Sequence, residues 1–154
     1  MIQLKEGMKA PGFEGIDQNG KTVKLSDFTG NKLVLYFYPK DDTPTCTTEA
    51  CNLRDNYSSF IDKGYIVIGV SPDNEKSHQR FIKKFSLPFP LISDTSKKIV
   101  NDYGVWGEKK MYGREYMGVL RTTFIINEKG IIDKIISDVK SSEHSKQIFD
   151  MYKQ

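Results

Sequence analysis

Both cysteines of the chain lie in one short segment, residues 36–51 ("YFYPKDDTPTCTTEAC"), at positions 46 and 51. A cysteine thiolate is a nucleophile, and two cysteines can cycle between a dithiol and a disulfide. The chain has 154 residues and 38% hydrophobic content, which is enough to bury a core without disulfide staples. The pair therefore indicates redox chemistry or metal binding rather than a structural crosslink.

The residues just before Cys46 predict the beginning of a helix. Thr43 suits the capping position because of its hydroxyl, and Pro44 suits the first helical turn, where a missing N–H costs nothing. Cys46 then becomes the third residue of the helix, near unpaired N–H groups and the positive end of the helix dipole. This position favours a thiolate.

The two cysteines point in different directions on the predicted helix. Cys46 falls on the apolar face formed by Ala50, Leu53 and Tyr57, and it therefore points toward the preceding apolar run. Cys51 lies about 140° further round the helix, and Cα atoms five positions apart are separated by about 8.6 Å. A disulfide needs a separation of about 4.4–6.8 Å. We therefore expect the two cysteines to bond only after part of the helix unwinds.

Three continuous apolar runs, at 32–38, 65–70 and 122–126, predict strands that are buried on both faces. Between the first two runs, apolar residues recur at spacings of three and four, which is typical of one face of a helix. These residues are Ala50, Leu53, Tyr57, Phe60 and Ile61. The pattern predicts a β-α-β unit.

Further helices are predicted at 71–85, 94–104 and 141–153, with Ser71 or Asp73 capping the first of them and Gly104 closing the second. Hairpins are predicted at Asn19-Gly20 and at residues 127–130, which join the third strand to residues 131–137. Residues 105–119 match no element. The order of elements predicts an α/β thioredoxin-like sandwich, with a central mixed β-sheet flanked by helices and an N-terminal β-hairpin, in one domain over residues 1–154.

Composition argues against several classes of partner. The formal charge of +3 arises from 23 basic and 20 acidic side chains that are scattered along the chain, so we expect no nucleic-acid surface. No run approaches the roughly 20 apolar residues of a membrane span. The N-terminal residues lack the apolar segment of a signal peptide, so we expect a cytoplasmic protein with no membrane partner.

A metal site would need four ligands, and the two histidines are the only other nitrogen or sulfur candidates. Both His78 and His144 fall in predicted surface helices, and we expect each to be exposed. We therefore expect neither a metal nor a cofactor. Two buried cysteines with a packing role are an alternative interpretation of the pair itself.

The pattern P-x-x-x-T-x-x-C, at Pro39, Thr43 and Cys46, resembles the active-site signature of the peroxiredoxins. A second cysteine five residues later resembles the bacterioferritin-comigratory-protein (PrxQ) subfamily. Further similar segments are "APGF" at 10–13, "GVWGEK" at 104–109 and "RTTFIINEKG" beginning at Arg121. The resemblance covers nearly the whole chain.

This resemblance implies a role for each matching residue. It makes Cys46 the peroxidatic nucleophile and Cys51 the resolving cysteine. It implies that Thr43 hydrogen-bonds the sulfur or the peroxide, that Pro39 shields the site from water, and that Arg121 holds the thiolate and the peroxide oxygens. Supporting positions are implied for Glu49 and Arg54.

The function implied is a thiol-dependent peroxidase that reduces hydrogen peroxide and organic hydroperoxides through a Cys46 sulfenic acid and a Cys46–Cys51 disulfide. Thioredoxin or a similar dithiol is the implied reductant, and we expect a monomer. Two alternatives stay open on the residues alone. One is a general dithiol oxidoreductase, although the usual C-x-x-C motif is absent. The other is a redox-gated interaction module, in which the disulfide exposes a partner surface.

Overall fold

The computed structural model describes residues 3–153, and these contain nine strands and five α-helices. The strands are β1 (Glu14–Ile16), β2 (Thr22–Lys24), β3 (Lys32–Phe37), β4 (Tyr65–Ser71), β5 (Leu91–Ser93), β6 (Trp106–Met111), β7 (Arg114–Val119), β8 (Thr122–Ile126) and β9 (Ile132–Ile136). The helices are α1 (Pro44–Asp55), α2 (Tyr57–Asp62), α3 (Glu75–Phe85), α4 (Lys98–Asp102) and α5 (His144–Asp150). Across these described residues, none of the helices has the length and apolar character needed to cross a membrane.

Seven strands form the central sheet, in the order β2-β1-β5-β4-β3-β8-β9. The inner strands β3, β4 and β5 are parallel, while β8 and β9 on one side and β1 and β2 on the other pair antiparallel. The predicted mixed sheet, flanking helices and N-terminal hairpin are therefore confirmed. Strands β6 and β7 form a separate two-stranded hairpin.

Helices cover both faces of the sheet, and this explains the unbroken apolar runs. Leu33, Leu35 and Phe37 of β3 point to one face and pack in a cluster that includes residues of α4. Val34 and Tyr36 point to the other face, in a cluster with residues of α1, α3 and α5. Because successive side chains of a strand alternate between faces, a strand covered on both sides has to be apolar throughout.

Three predicted helices have wrong boundaries, one of them at 94–104, where α4 covers only Lys98–Asp102. Ser71 and Asp73 do not cap α3, because β4 continues through Ser71 and the helix begins at Glu75. The cap is Asn74, whose Oδ1 accepts a hydrogen bond of 2.9 Å from the N–H of Ser77. The first predicted helix is interrupted at Asn56 into α1 and α2, and 48% of Ile61 is exposed, so Ile61 does not belong to the buried face.

The prediction of exposed histidines is also wrong. His78 and His144 are both fully buried. His78 shares the buried face of α3 with Phe81, and His144 shares that of α5 with Ile148. Each ring is tolerated in the interior because both of its nitrogens have polar partners.

The unassigned residues 105–119 contain the β6–β7 hairpin. Its turn places Tyr112 at φ 53° and Gly113 at φ 76°, both in the left-handed region. Most of β7 is exposed, so it lacks the apolar alternation by which a strand is recognised in a sequence.

Candidate active site

Helix α1 begins where the sequence predicted. Thr43 is the N-cap residue in extended conformation, Pro44 is the first helical residue, and Cys46 is the third. The Thr43 hydroxyl does not cap the helix, however. It donates instead to the carbonyl of Lys40 at 2.9 Å, which braces the loop that leads into the helix.

Cys46 points into the protein, and 2% of its surface is exposed. It packs with Ala50 and Leu53 of the same helix face, as predicted. Cys51 is partly exposed, and both residues are free thiols in the described part of the chain. Because both lie within α1, the geometry that keeps them too far apart for a disulfide applies to this conformation.

Arg121 reaches Cys46 from a distant part of the chain. It lies between β7 and β8, and β8 pairs with β3, the strand that leads into the Cys46 loop. Its Nη2 donates to Cys46 Sγ at 3.1 Å, and its Nη1 donates to Glu49 Oε1 at 2.7 Å. One guanidinium therefore bridges the sulfur and a carboxylate that lie on neighbouring turns of α1.

Glu49 is a fully buried carboxylate. Burial raises its pKa to about 7, against the opposing effect of the Arg121 guanidinium. Among residues 3–153, Oε2 finds no hydrogen-bond partner, whereas Oε1 accepts from Arg121. Glu49 therefore changes charge near neutral pH while staying in contact with the arginine of the site.

His144 lies next to Glu49 as a neutral ring. Gln147 Oε1 accepts from the N–H of Lys140, so His144 Nδ1, 3.0 Å from the same oxygen, must donate to it. Nε2 then accepts from the Thr123 hydroxyl at 2.8 Å. Burial lowers the pKa of His144 to about 4, so the 3.7 Å approach of Nε2 to Glu49 is not an ion pair at neutral pH.

The two remaining predicted site residues are Pro39 and Arg54, and their surroundings differ. Pro39 is half-buried in the loop between β3 and α1, the same loop that contains Thr43. Arg54 donates through Nη1 to the carbonyl of Phe85 at 2.7 Å and makes no hydrogen bond to Cys46, Glu49 or Arg121 among residues 3–153. Glu49 contacts Arg121 directly, whereas the supporting position implied for Arg54 stays a prediction.

A further cation near the site was not predicted from the sequence. Lys109 of β6 donates through Nζ to the carbonyl of Val119 at 3.0 Å, two residues before Arg121. Burial, and next the positive charge of Arg121, lower the pKa of Lys109, while the charge of Cys46 raises it. The residue lies in the stretch that matched no element, so no local pattern indicated it.

This arrangement provides a sulfur nucleophile with nearby donors for developing negative charge. The first turn of α1 offers backbone N–H groups at the positive end of the helix dipole, and Arg121 offers a charged, planar donor. A site with these donors stabilises both a thiolate and an oxygen anion that leaves it.

Comparison with known proteins agrees with this chemistry. The AhpC/TSA family matches residues 7–135. Peroxiredoxin Bcp of Bacillus subtilis is 46% identical over 143 residues, which cover 93% of this chain and 91% of the relative. The chain is a peroxiredoxin.

Solved structures place this peroxiredoxin in the Bcp/PrxQ group. A mutant of PrxQ from Xylella fastidiosa superposes with a TM-score of 0.91 at 31% identity, covering 98% of this chain and 96% of that one. The bacterioferritin comigratory protein of Xanthomonas campestris, whose structure was described in terms of alkyl peroxide reduction, gives 0.84 at 33% identity over 90% and 88% of the two chains. The predicted family and thioredoxin-like fold are confirmed.

The family also establishes the activity in general terms. Bcp/PrxQ peroxiredoxins are thiol peroxidases, so this peroxiredoxin is an oxidoreductase that uses a peroxide as substrate.

Proposed function

We propose that Cys46 is the nucleophile of the peroxidase reaction and that Arg121 stabilises its transition state. The supporting observation is the 3.1 Å hydrogen bond from Arg121 Nη2 to Cys46 Sγ. The thiolate attacks the terminal oxygen of a peroxide, an S–O bond forms, and the O–O bond breaks. Cys46 becomes a sulfenic acid, and the departing oxygen takes up a proton to leave as water or an alcohol.

Transition-state stabilisation has to supply most of the acceleration. Lowering the pKa of a thiol from about 8.5 to about 6 raises its thiolate fraction at pH 7 about thirtyfold. Nucleophilicity falls with pKa at a slope of about 0.4–0.5, which offsets about tenfold of that gain. The net two- to threefold advantage is small, whereas a single well-placed donor to a developing oxyanion contributes about 10²–10³.

Thr43 is proposed to position the peroxide, and Pro39 is proposed to shield the sulfur from water. The hydroxyl proton of Thr43 is used on the Lys40 carbonyl, so its oxygen is left to accept the O–H of a peroxide. Pro39 has no N–H and lies half-buried in the same loop, where it limits the access of water to the sulfur.

Cys51 is proposed to resolve the sulfenic acid. Its sulfur displaces the hydroxyl of Cys46 sulfenic acid, which releases water and leaves an intramolecular disulfide. Part of α1 unwinds for this step, since the helical separation is too large for an S–S bond. A thioredoxin-like dithiol then returns both thiols by exchange.

The remaining features of the proposal follow from this cycle. Hydrogen peroxide and organic hydroperoxides both carry the O–O bond and the O–H that the site would engage. All reacting groups come from one chain, so a monomeric domain over residues 1–154 suffices, without metal, cofactor, nucleic acid or membrane. The proposed compartment is the cytoplasm, where dithiol reductants are maintained.

Two matched variants and mass spectrometry test the proposal. Cys46→Ser should abolish peroxide consumption with a thioredoxin system, and Cys51→Ser should permit one oxidation unless an external thiol is added. Peroxide-treated wild-type protein should lose two hydrogen atoms, while Cys51→Ser should gain one oxygen atom. Sustained turnover by Cys46→Ser, or an oxygen adduct on Cys51 instead of Cys46, would overturn it.

A further inference from the structure

Asp41, in the loop between β3 and α1, lies at the centre of a buried hydrogen-bond network. The Tyr38 hydroxyl donates to Oδ1 at 2.6 Å. Oδ2 accepts from the Ser77 hydroxyl at 2.7 Å and contacts His78 Nδ1, also at 2.7 Å. Ser77 and His78 belong to α3, so this carboxylate ties the loop to a neighbouring helix.

His78 and Asp41 share one proton inside the protein. Nε2 of His78 lies 3.0 Å from the carbonyl oxygen of Ile92, which can only accept, so Nε2 donates. A further proton must then lie between Nδ1 and Asp41 Oδ2. Both side chains are buried, at 0% and 3% exposure, and removing His78 leaves the buried Asp41 carboxylate with only its two hydroxyl donors.

The main chain of the loop is fixed as well. The N–H of Asp41 donates to Asp73 Oδ2 at 2.8 Å, and the same oxygen accepts from the Ser71 hydroxyl at 2.7 Å. The carboxylates of Asp41 and Asp73 thus accept hydrogen bonds from the loop itself, from Ser71 and from α3, so the cluster holds the loop to its neighbours. The next residue, Asp42, has φ 56°, a left-handed conformation, and its exposed Oδ2 accepts from Lys84 Nζ of α3 at 2.8 Å.

A second fixed point lies immediately after Cys51. Asn52 Oδ1 accepts from the N–H of Ser145 at 2.8 Å, and Nδ2 donates to the carbonyl of Ser142 at 3.0 Å. The Ser145 hydroxyl adds a hydrogen bond of 3.2 Å to the carbonyl of Asn52. Both cysteines therefore lie between two attachments, one at Asp41 and the other at Asn52.

We propose that the Asp41–His78 pair is a positioning anchor that confines unwinding to residues 42–51. The pair thereby influences whether the sulfenic acid of Cys46 forms a disulfide or is oxidised to a sulfinic acid. This inference rests on the proposed function. The anchor stabilises the conformation in which Cys46 faces Arg121, and it holds the loop in place while the segment between the two attachments changes shape.

The sulfenic acid has two competing reactions with opposite structural requirements. Attack by Cys51 requires the segment to unwind, and it yields a disulfide and water. A second peroxide molecule oxidises Cys46 to sulfinic acid and leaves as water or an alcohol, and this reaction requires the folded site with Arg121 in place. Fixed ends restrict an unwound segment more than a folded one, because the unwound chain has more conformations to lose. A weaker anchor therefore shifts the balance toward the unwound form and thus toward the disulfide.

The anchor is tested with His78→Asn and with Ser77→Ala, which removes one hydrogen bond to Asp41 at little cost in volume. Asp94→Asn is the matched control, because Asp94 is a buried carboxylate that accepts from the N–H groups of Ile99 and Val100 and, within residues 3–153, forms no hydrogen bond with the loop between β3 and α1. Mass spectrometry after a peroxide titration measures the ratio of sulfinic acid to disulfide. That ratio should fall about tenfold in His78→Asn and about threefold in Ser77→Ala.

The control should keep the wild-type ratio even if its melting temperature falls, so a general loss of stability is separated from loss of the anchor. Amide hydrogen exchange should rise across 42–51 in the disulfide form of the wild type, while Asp41 and Asn52 stay protected. Ratios in Ser77→Ala and His78→Asn equal to that of Asp94→Asn, or exchange that spreads through Asp41, would overturn the anchor. Failure of the wild type to form any disulfide would instead overturn the proposed function.

Discussion

The hydrogen bond between Arg121 Nη1 and Glu49 Oε1, at 2.7 Å, fixes the guanidinium whose Nη2 faces the sulfur of Cys46. Because the guanidinium is planar, holding one nitrogen restricts the position of the other. Glu49 therefore acts on the chemistry through Arg121. Its burial makes this contact sensitive to pH, since the pKa of Glu49 is raised to about 7.

Glu49→Gln should change how stability depends on pH. The pKa of Glu49 is about 7 in the folded protein, against an ordinary value of 4.5 that applies to the unfolded chain. Between pH 4.5 and pH 7, the folded state therefore binds more protons than the unfolded state. Its stabilising contribution is thus complete below pH 4.5 and is lost as pH rises through 7. The unfolding free energy of Glu49→Gln relative to wild type should rise by on the order of 3 kcal/mol across that window. Urea denaturation at a series of pH values measures it, and a constant difference would contradict the account.

His144→Gln should show the opposite slope. The pKa of His144 is lowered to about 4 from 6.5, so the unfolded state binds more protons between these values. Its contribution is present above pH 6.5 and is lost as pH falls through 4. The wild type should gain stability over His144→Gln by on the order of 3 kcal/mol as pH rises across this window. The same titration with a Glu49→Gln/His144→Gln double variant should show neither slope, and a surviving slope would count against these assignments.

The Thr43 hydroxyl should contribute by accepting a hydrogen bond from the peroxide. Thr43→Val removes the acceptor and should lower the second-order rate constant for Cys46 oxidation about tenfold. Thr43→Ser keeps the hydroxyl and serves as the matched control. Stopped-flow fluorescence with hydrogen peroxide measures both. Equal rates for the two variants would show that the oxygen is not used.

Two stacked tyrosines, Tyr36 in β3 and Tyr38 one residue beyond its end, should respond in opposite ways to loss of their hydroxyls. The ring centroids of Tyr36 and Tyr38 are 5.3 Å apart. In the part of the chain that the structure describes, the buried hydroxyl of Tyr36 has no partner, whereas that of Tyr38 donates to Asp41. Tyr36→Phe should therefore stabilise the protein by about 1 kcal/mol and Tyr38→Phe should destabilise it by about 1–3 kcal/mol. Chemical denaturation measures both, and loss of stability in Tyr36→Phe would reveal a use for its hydroxyl.

Local sequence patterns were sufficient to predict the helix that contains Cys46 and the strands beside it. The pair Thr43-Pro44 encodes the start of α1, and the apolar runs encode β3, β4 and β8, because each signal lies within a few consecutive residues. Arg121 became a candidate only through the family resemblance. Its position beside Cys46, 75 positions earlier in the chain, depends on the pairing of β3 with β8, which no local pattern contains.

The two histidines show why other features of the structure could not be predicted from the sequence. His78 and His144 are polar residues on helices, and such residues are usually exposed. Their burial depends on partners from distant elements, Asp41 for His78 and Thr123 for His144. The spacing to Phe81 and Ile148 on the same helix faces was the available sequence signal. Both histidines can lie in the interior because the nitrogens of each ring have hydrogen-bond partners there.

The central claim is that Arg121 acts on the transition state rather than on the amount of thiolate. Arg121→Lys retains a positive charge but loses the planar pair of donors that bridges Cys46 and Glu49. Arg54→Ala is the control, because Arg54 lies on the same helix as Cys46 and contacts the carbonyl of Phe85 instead of the sulfur.

The most direct test measures, on each of these variants, the rate constant for peroxide reduction together with a thiol titration of Cys46. The account predicts that the rate constant per thiolate falls about 10²–10³ in Arg121→Lys and stays at the wild-type value in Arg54→Ala. A rate constant that falls only in proportion to the thiolate fraction of Arg121→Lys would contradict it.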